Sequence, residues 1–400
     1  MKQKTNSEKA VILFTFITIC VAIMSGLSSQ IFTNYFKEVY NVTSIQRGFL
    51  EIPRETPGVI CMFIITGLAS LGDIKIALIS QLLVAVGLTV MGTMSPSYGG
   101  MMIFLFIASL GQHIFMPLND AIGMSLSENG KVGQTLGKFK SYSTLFSLIT
   151  SLLVFVGFKN GFFSFKSKII VPFVISVAAA IAAAILLGFM NQHVPKSSEK
   201  VKQKLILRKE YLPYYLVTLA YGCQKRIKLV FGPWVIADLM LQGADTLSLL
   251  AIGTHFIGIA LANVIGRMLD KLGITVSLIV EGIYIILSFS AMGYMAGGFA
   301  SGKFTSGGHA MYIAFAVYIV CNLFDQFNSV HAYLMRSIAK DPSEITSTLS
   351  VGLSVDHVLA VVVSSVFGII WSKAGAQYVF YICSITAAIQ IAVGLHLRSQ

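Results

Sequence analysis

Charge is what this 400-residue chain has least of: 12% of its residues are Asp, Glu, Lys or Arg, against about 25% in an average soluble domain. Acids are scarcer than bases, 17 against 29, which leaves a net charge of +12. So few polar side chains cannot clothe a water-soluble globule of this size. Sustained alternation of apolar and polar residues is also missing, and that excludes a transmembrane barrel, whose strands run about 9–11 residues in strict alternation. The five cysteines, Cys20, Cys61, Cys223, Cys321 and Cys383, have no CxxC spacing. They read as small apolar packing residues rather than as a disulfide framework or a thiolate metal site. No group of His, Cys, Asp and Glu has metal-ligand spacing, and no nucleophile and base form a catalytic constellation. The sequence therefore points away from an enzyme and from a resident cofactor or metal.

What the chain has in abundance is long apolar runs. Hydrophobic residues make up 55% of it, with a mean hydropathy of +0.78, the signature of an integral membrane protein. Matched to the ~20 residues a helix needs to cross a bilayer, these runs predict twelve spans, near 10–33, 47–70, 74–95, 100–126, 139–158, 168–190, 212–236, 246–268, 274–297, 311–336, 345–371 and 376–397. Lys2, Lys4 and Lys9 give the first run the look of a signal peptide, but it is too long and no small-residue cleavage site follows. It is expected to stay as a span. The longest polar break, Asn191–Glu210, is basic and holds Pro195, Ser197 and Ser198, so it reads as a cytoplasmic linker between residues 1–190 and 211–400.

Lys and Arg fix the orientation. With the amino terminus inside, the inner segments collect more than twice as many as the outer ones, where only Lys37, Arg47, Lys159, Lys166, Lys168, Lys303 and Lys373 fall. Both termini and the linker are expected in the cytoplasm, in a multi-pass protein of the cell membrane. This topology and anionic lipid headgroups account for the basic balance, which gives no support to nucleic-acid binding.

The few charges within the spans are the informative ones, because a centrally placed ion costs roughly 2.5–3.5 kcal/mol on insertion scales. In the second span Glu51, Arg54 and Glu55 share a face and can pair, while Pro53, Pro57 and Gly58 should loosen the helix. They read either as part of a solute path or as a self-neutralised cluster. In the seventh span Tyr221, Gln224, Lys225, Lys228 and Gly232 form one stripe, with Arg226 turned about 100° away. Two ammonium groups on one face need an anion or carboxylates opposite. The available acids are Asp120, Asp325 and Asp356; His113 shares a face with Asp120, and Asn328 with Asp325. A desolvated carboxylate near a base can exchange protons near neutrality, which makes Asp325, Asp356, Glu55, Glu51 and Asp120 candidate proton sites. Static ion pairs between helices are the alternative. Among the histidines, His113 and His331 lie on helices with other polar groups, whereas His255 and His357 fit simple hydrogen bonding within the bundle.

The segment Gly266-Arg267-Met268-Leu269-Asp270-Lys271-Leu272-Gly273 resembles the loop motif of the major facilitator superfamily: Gly, three residues, Asp, a basic residue, any residue, Gly. Gly266, Asp270, Lys271 and Gly273 match by position. The first-half counterpart, Gly67–Lys75, is degenerate, with Leu71 in the acidic place. The resemblance implies an all-α membrane protein of two six-helix bundles with a central cavity, alternating access by rocking of the halves, and a gating role for Asp270 with Arg267 and Lys271 beside it. The fifth span lacks the Gly-rich, proline-containing motif of drug and proton antiporters, the first has no acid, and no sugar-porter signature follows the sixth. No subfamily is indicated.

Together these features lead to a monomeric, proton-coupled transporter of a small polar organic solute, symporter or antiporter, with an anionic group drawn to Lys225, Lys228 and Arg226 or Arg54. Ser29, Gln30, Tyr221, Gln224, Asn328 and His113 would supply hydrogen bonds, and Phe231 and Trp234 could frame the outer mouth, with an interfacial belt position the expected one for Trp234. A multidrug efflux transporter or a lipid or amphiphile flippase is the alternative.

Overall fold

The computed structural model describes residues 2–94, 96–127, 132–191, 208–340 and 342–399. The linker residues 192–207 and Lys131 lie outside them. Among the described residues there are helices and turns but no strand. The helices are α1 (Lys2–Tyr40), α2 (Ser44–Phe49), α3 (Glu51–Gly67), α4 (Asp73–Thr93), α5 (Tyr98–Ser125), α6 (Val132–Lys159), α7 (Val171–Met190), α8 (Leu212–Trp234), α9 (Ala244–Ala300), α10 (His309–Asn322), α11 (Asn328–Ile338), α12 (Pro342–Lys373), α13 (Ala376–Thr386) and α14 (Ala388–Ser399). Nine helical segments among the described residues are long and apolar enough to cross a membrane. The protein is a multi-pass membrane protein.

Where the helices depart from the predicted spans, local chemistry explains most of the differences. Span two divides into α2 and α3 because Pro53 cannot donate to the carbonyl of Phe49 and its ring crowds that carbonyl, so α2 stops there. Pro53 then occupies the first turn of α3, where a missing N–H costs nothing. Spans eight and nine merge into α9, broken only at Gly273 (φ 74°, ψ −179°). The expected loop at Gly266–Gly273 is thus helical up to its last residue. Arg, Met, Leu and Lys all favour helix, and only a glycine tolerates that final backbone conformation. The first-half turn uses the same device at Gly72 (φ 82°). Span ten holds a 3-10 turn, Leu323–Phe327, between α10 and α11.

The chain folds as two compact units, one of Met1–Asn41 and Ile52–Val201, the other of Val42–Glu51 and Lys202–Gln400. In the first, α1 packs on α6 and α7, and α4 packs on α5 and α7, around Phe14, Ile17, Ile76, Ile114, Leu118 and Leu187. Small residues set the α4–α5 distance: a Cβ on Gly87 would lie 2.5 Å from the Phe104 carbonyl oxygen. In the second unit α9 packs on α10, α13 and α14, and α8 on α12. The short α2 belongs here because it lies on α12. A Cβ on Gly368 would meet the Ser44 carbonyl oxygen at 2.8 Å, so the two backbones are nearly in contact.

Candidate functional site

The polar stripe of α8 meets carboxylates from other elements of its own unit. Lys225 Nζ donates to Asp356 Oδ2 of α12 at 2.8 Å. Arg226, turned to another side of the helix, reaches Glu51 Oε2 at 3.5 Å and Asp356 Oδ2 at 3.7 Å. Lys228 donates to Asp325 Oδ2, which the 3-10 turn presents to it. Desolvated ions are tolerated on such terms, since removing either partner strands a buried charge. The pairs differ in access. The Lys228 side chain is 2% exposed while that of Asp325 is 49% exposed; Lys225 is 30% exposed and Asp356 12%. The open end is the acid in one pair and the base in the other.

Glu51 is fully buried and extends this network towards α2. Its Oε1 accepts from Arg47 Nη1 at 2.8 Å, one helical turn earlier across the break at Leu50. Arg47 is therefore not the outer-loop residue that the sequence suggested. It is 2% exposed, drawn inward because Glu51 needs a base within reach. Gln224 exchanges hydrogen bonds with Gln390 of α14, at 2.7 and 3.3 Å, and donates to Thr386 at 3.0 Å. Its amide is a buried tie between helices. Tyr221 stands edge-on to His331 with ring centroids 4.3 Å apart, and 4.8 Å from Phe324. Asn328 is exposed at the start of α11.

The first unit holds the remaining candidates. The Arg54 guanidinium carbon is 5.9 Å from the centroid of the Phe32 ring, within cation–π range, and the Arg54 carbonyl accepts from Ser109 Oγ. His113 Nδ1 lies 2.9 Å from the Ser109 carbonyl oxygen, and its Nε2 is 3.9 Å from Glu55 Oε2. Gln30 Nε2 donates to Ser151 Oγ at 3.0 Å, tying α1 to α6. Ser29 is exposed and bonds to the Gly26 carbonyl in its own helix. Asp120 is exposed, three residues past Pro117, whereas His113 is half-buried. Gly266 is half-buried, and Arg267, Asp270 and Lys271 are exposed on α9.

Two aromatic expectations are corrected. Trp234 is fully buried and so is Phe231, which stacks on Trp371. Both belong to the core of α8, because the end of that helix is enclosed by neighbours rather than by headgroups. One acid escaped the sequence reading altogether. Glu281 of α9 is fully buried and lies 2.8 Å from His331 Nε2. It stands alone in the apolar run 274–297, and the cost of an intramembrane ion would have flagged it.

Outside the spans, the Glu210 carboxyl is held below its usual range by a hydrogen bond from Lys340 Nζ at 2.7 Å, helped by its own backbone and the Lys340 charge.

Over nearly its whole length this structure superposes on transporters of known structure. The nucleoside transporter NupG is 13% identical and matches over 99% of both chains with a TM-score of 0.73. The fold is the major facilitator fold. The POT family transporter PepTSo matches over 98% of both chains at 13% identity, with a TM-score of 0.72. A bacterial homologue of the iron transporter ferroportin, in its inward-facing state, matches over 98% of this chain and 99% of its own at 12% identity, also with 0.72. No protein-family model and no curated protein matches the sequence.

Proposed function

We propose that the protein is a proton-coupled secondary transporter that carries a small polar organic solute with an anionic group across the cell membrane by alternating access. It works as a monomer with both termini in the cytoplasm, and without cofactor or metal. The observation that carries this reading is the pair of partly buried ion pairs on α8, Lys225 with Asp356 and Lys228 with Asp325, each with one partner open. A membrane helix bears that cost where the charges are used. The transporters named among the fold neighbours, of nucleosides and of peptides, favour transport as the use of this fold.

Each pair offers an exchange. A proton on Asp325 or Asp356 releases its lysine, whose ammonium then takes the anionic group of the solute through a charge-assisted hydrogen bond. In the second unit Arg226 adds positive potential and Tyr221 and Asn328 supply polar contacts; in the first, Arg54, Ser29, Gln30 and His113 are the corresponding candidates. Glu55, Glu51 and Asp120 are secondary proton sites, and Gly266–Gly273 acts in gating.

Thermal-shift screening of the purified protein against nucleosides, dipeptides, organic acids, sugars and drugs tests this, because a ligand of the native state raises its apparent stability. For an acidic compound that stabilises the protein, Lys225→Gln and Lys228→Gln should weaken affinity about ten- to hundredfold, equivalent to roughly 1.4–2.7 kcal/mol, and spare a neutral analogue. Equal losses for both compounds, with a lower melting temperature, would reduce the lysines to structural ties.

A further inference from the structure

The buried pair Glu281–His331 has no part in the scheme above, and its chemistry is unfinished. Glu281 Oε1 meets His331 Nε2 at 2.8 Å, while Oε2, equally buried, has no hydrogen-bond partner. Buried polar atoms are nearly always paired, and an ionised carboxylate with one bare oxygen is costly to keep from water. One proton removes the net charge. With His331 neutral and its Nε2–H donating to ionised Glu281, the pair carries one negative charge. A proton added at Oε2 converts that oxygen to a hydroxyl donor; one added at His331 Nδ1 gives an imidazolium beside a carboxylate. Either product is neutral overall. The step belongs to the pair rather than to one residue.

The pair is also wired to the α8 stripe. Tyr221 packs edge-on against His331 and lies on the same helical stripe as Lys225 and Lys228.

We propose that Glu281 and His331 together form a proton-binding site that takes up one proton in the transport cycle, passing its charge state to the lysine pairs through Tyr221. The cycle rests on the transport reading above, but the binding of the proton does not.

Two measurements separate them. The purified full-length protein in detergent, taken from about pH 8 to about pH 5 with a pH indicator, reports protons bound per chain across the histidine range. Glu281→Gln and His331→Gln should each bind about one fewer than wild type, because each removes one half of the pair that holds the proton. Unchanged uptake in both variants overturns the site, and should Glu281→Gln not fold, His331→Gln carries the same reading. Proteoliposomes loaded with pyranine and given uridine, then alanyl-alanine, report proton movement coupled to solute. Movement in wild type that is lost in Glu281→Gln supports the role in the cycle, and movement retained in that variant overturns it. No movement with either probe, beside a lost titration step, would exclude both as coupled solutes and leave the proton site standing.

Discussion

Glu51→Gln tests the electrostatic core of the second unit. The substitution keeps the shape of the side chain and deletes its charge, so no cavity term enters. Glu51 is fully buried, with Arg47 at 2.8 Å and Arg226 at 3.5 Å. At an effective dielectric constant of about 20, two unit charges about 4 Å apart attract by roughly 4 kcal/mol, so two such contacts set a gross value on the order of 8 kcal/mol. Relaxation and the other groups around each guanidinium reduce it, and breaking a buried pair costs about 3–5 kcal/mol in practice. That is a large share of the roughly 5–15 kcal/mol that holds a domain together. For a unit of this size it corresponds to a fall in melting temperature of about 6–20 °C. Intrinsic tryptophan fluorescence is a selective probe, because the two tryptophans, Trp234 and Trp371, both lie in this unit and are buried. Arg47→Met combined with Glu51→Gln should recover part of the loss, since the stranded guanidinium leaves with its partner. A Glu51→Gln protein melting within about 1 °C of wild type, or a double variant no better than the single one, would refute the network as a source of stability.

Glycine substitutions in α9 should have opposite signs. An added Cβ meets nothing within 4 Å at Gly266 or at Gly273, so only backbone differs: Gly266→Ala, in regular helix, should stabilise by about 0.5–1 kcal/mol, and Gly273→Ala should cost about 1–3 kcal/mol, and equal melting temperatures would contradict the break. At Glu210 the depressed carboxyl contributes stability at pH values above the ordinary carboxylate range, and the contribution is lost as pH falls through the depressed value. Lys340→Ala should return the Glu210 titration, followed by carboxyl NMR, towards the ordinary range; an unmoved curve would show that Lys340 is not the cause. A cysteine introduced by Ser197→Cys should react with an impermeant maleimide in inverted vesicles and not in intact cells, and labelling in intact cells would reverse the topology.

The sequence by itself determined that the chain is a multi-pass membrane protein. The length of its apolar runs called for helices, since a backbone in hydrocarbon must satisfy its own hydrogen bonds and has few ways to do so, although several helix boundaries fell elsewhere than predicted. Pro53 and the left-handed Gly273 acted within a residue or two of themselves, so their breaks were local and readable in kind. The stripe on α8 was legible for the same reason: helical periodicity alone places Lys225 and Lys228 together. Which carboxylate each lysine meets was decided only by tertiary structure, because Asp356 and Asp325 are 131 and 97 residues away in the chain and nothing local specifies the pairing. Arg47 and Trp234 were misplaced for a related reason. In a membrane protein hydropathy shows that a segment lies in the bilayer, but lipid and protein interior are equally apolar, so the pattern does not tell which face of a helix is covered. Arg47 is enclosed because α2 lies on α12, and Trp234 because the end of α8 is surrounded by its own unit. Glu281 shows the boundary between the two sources. Its cost was visible in the sequence as a lone acid among apolar residues, and its partner, His331 across a packed helix pair, appeared only once the chain had folded.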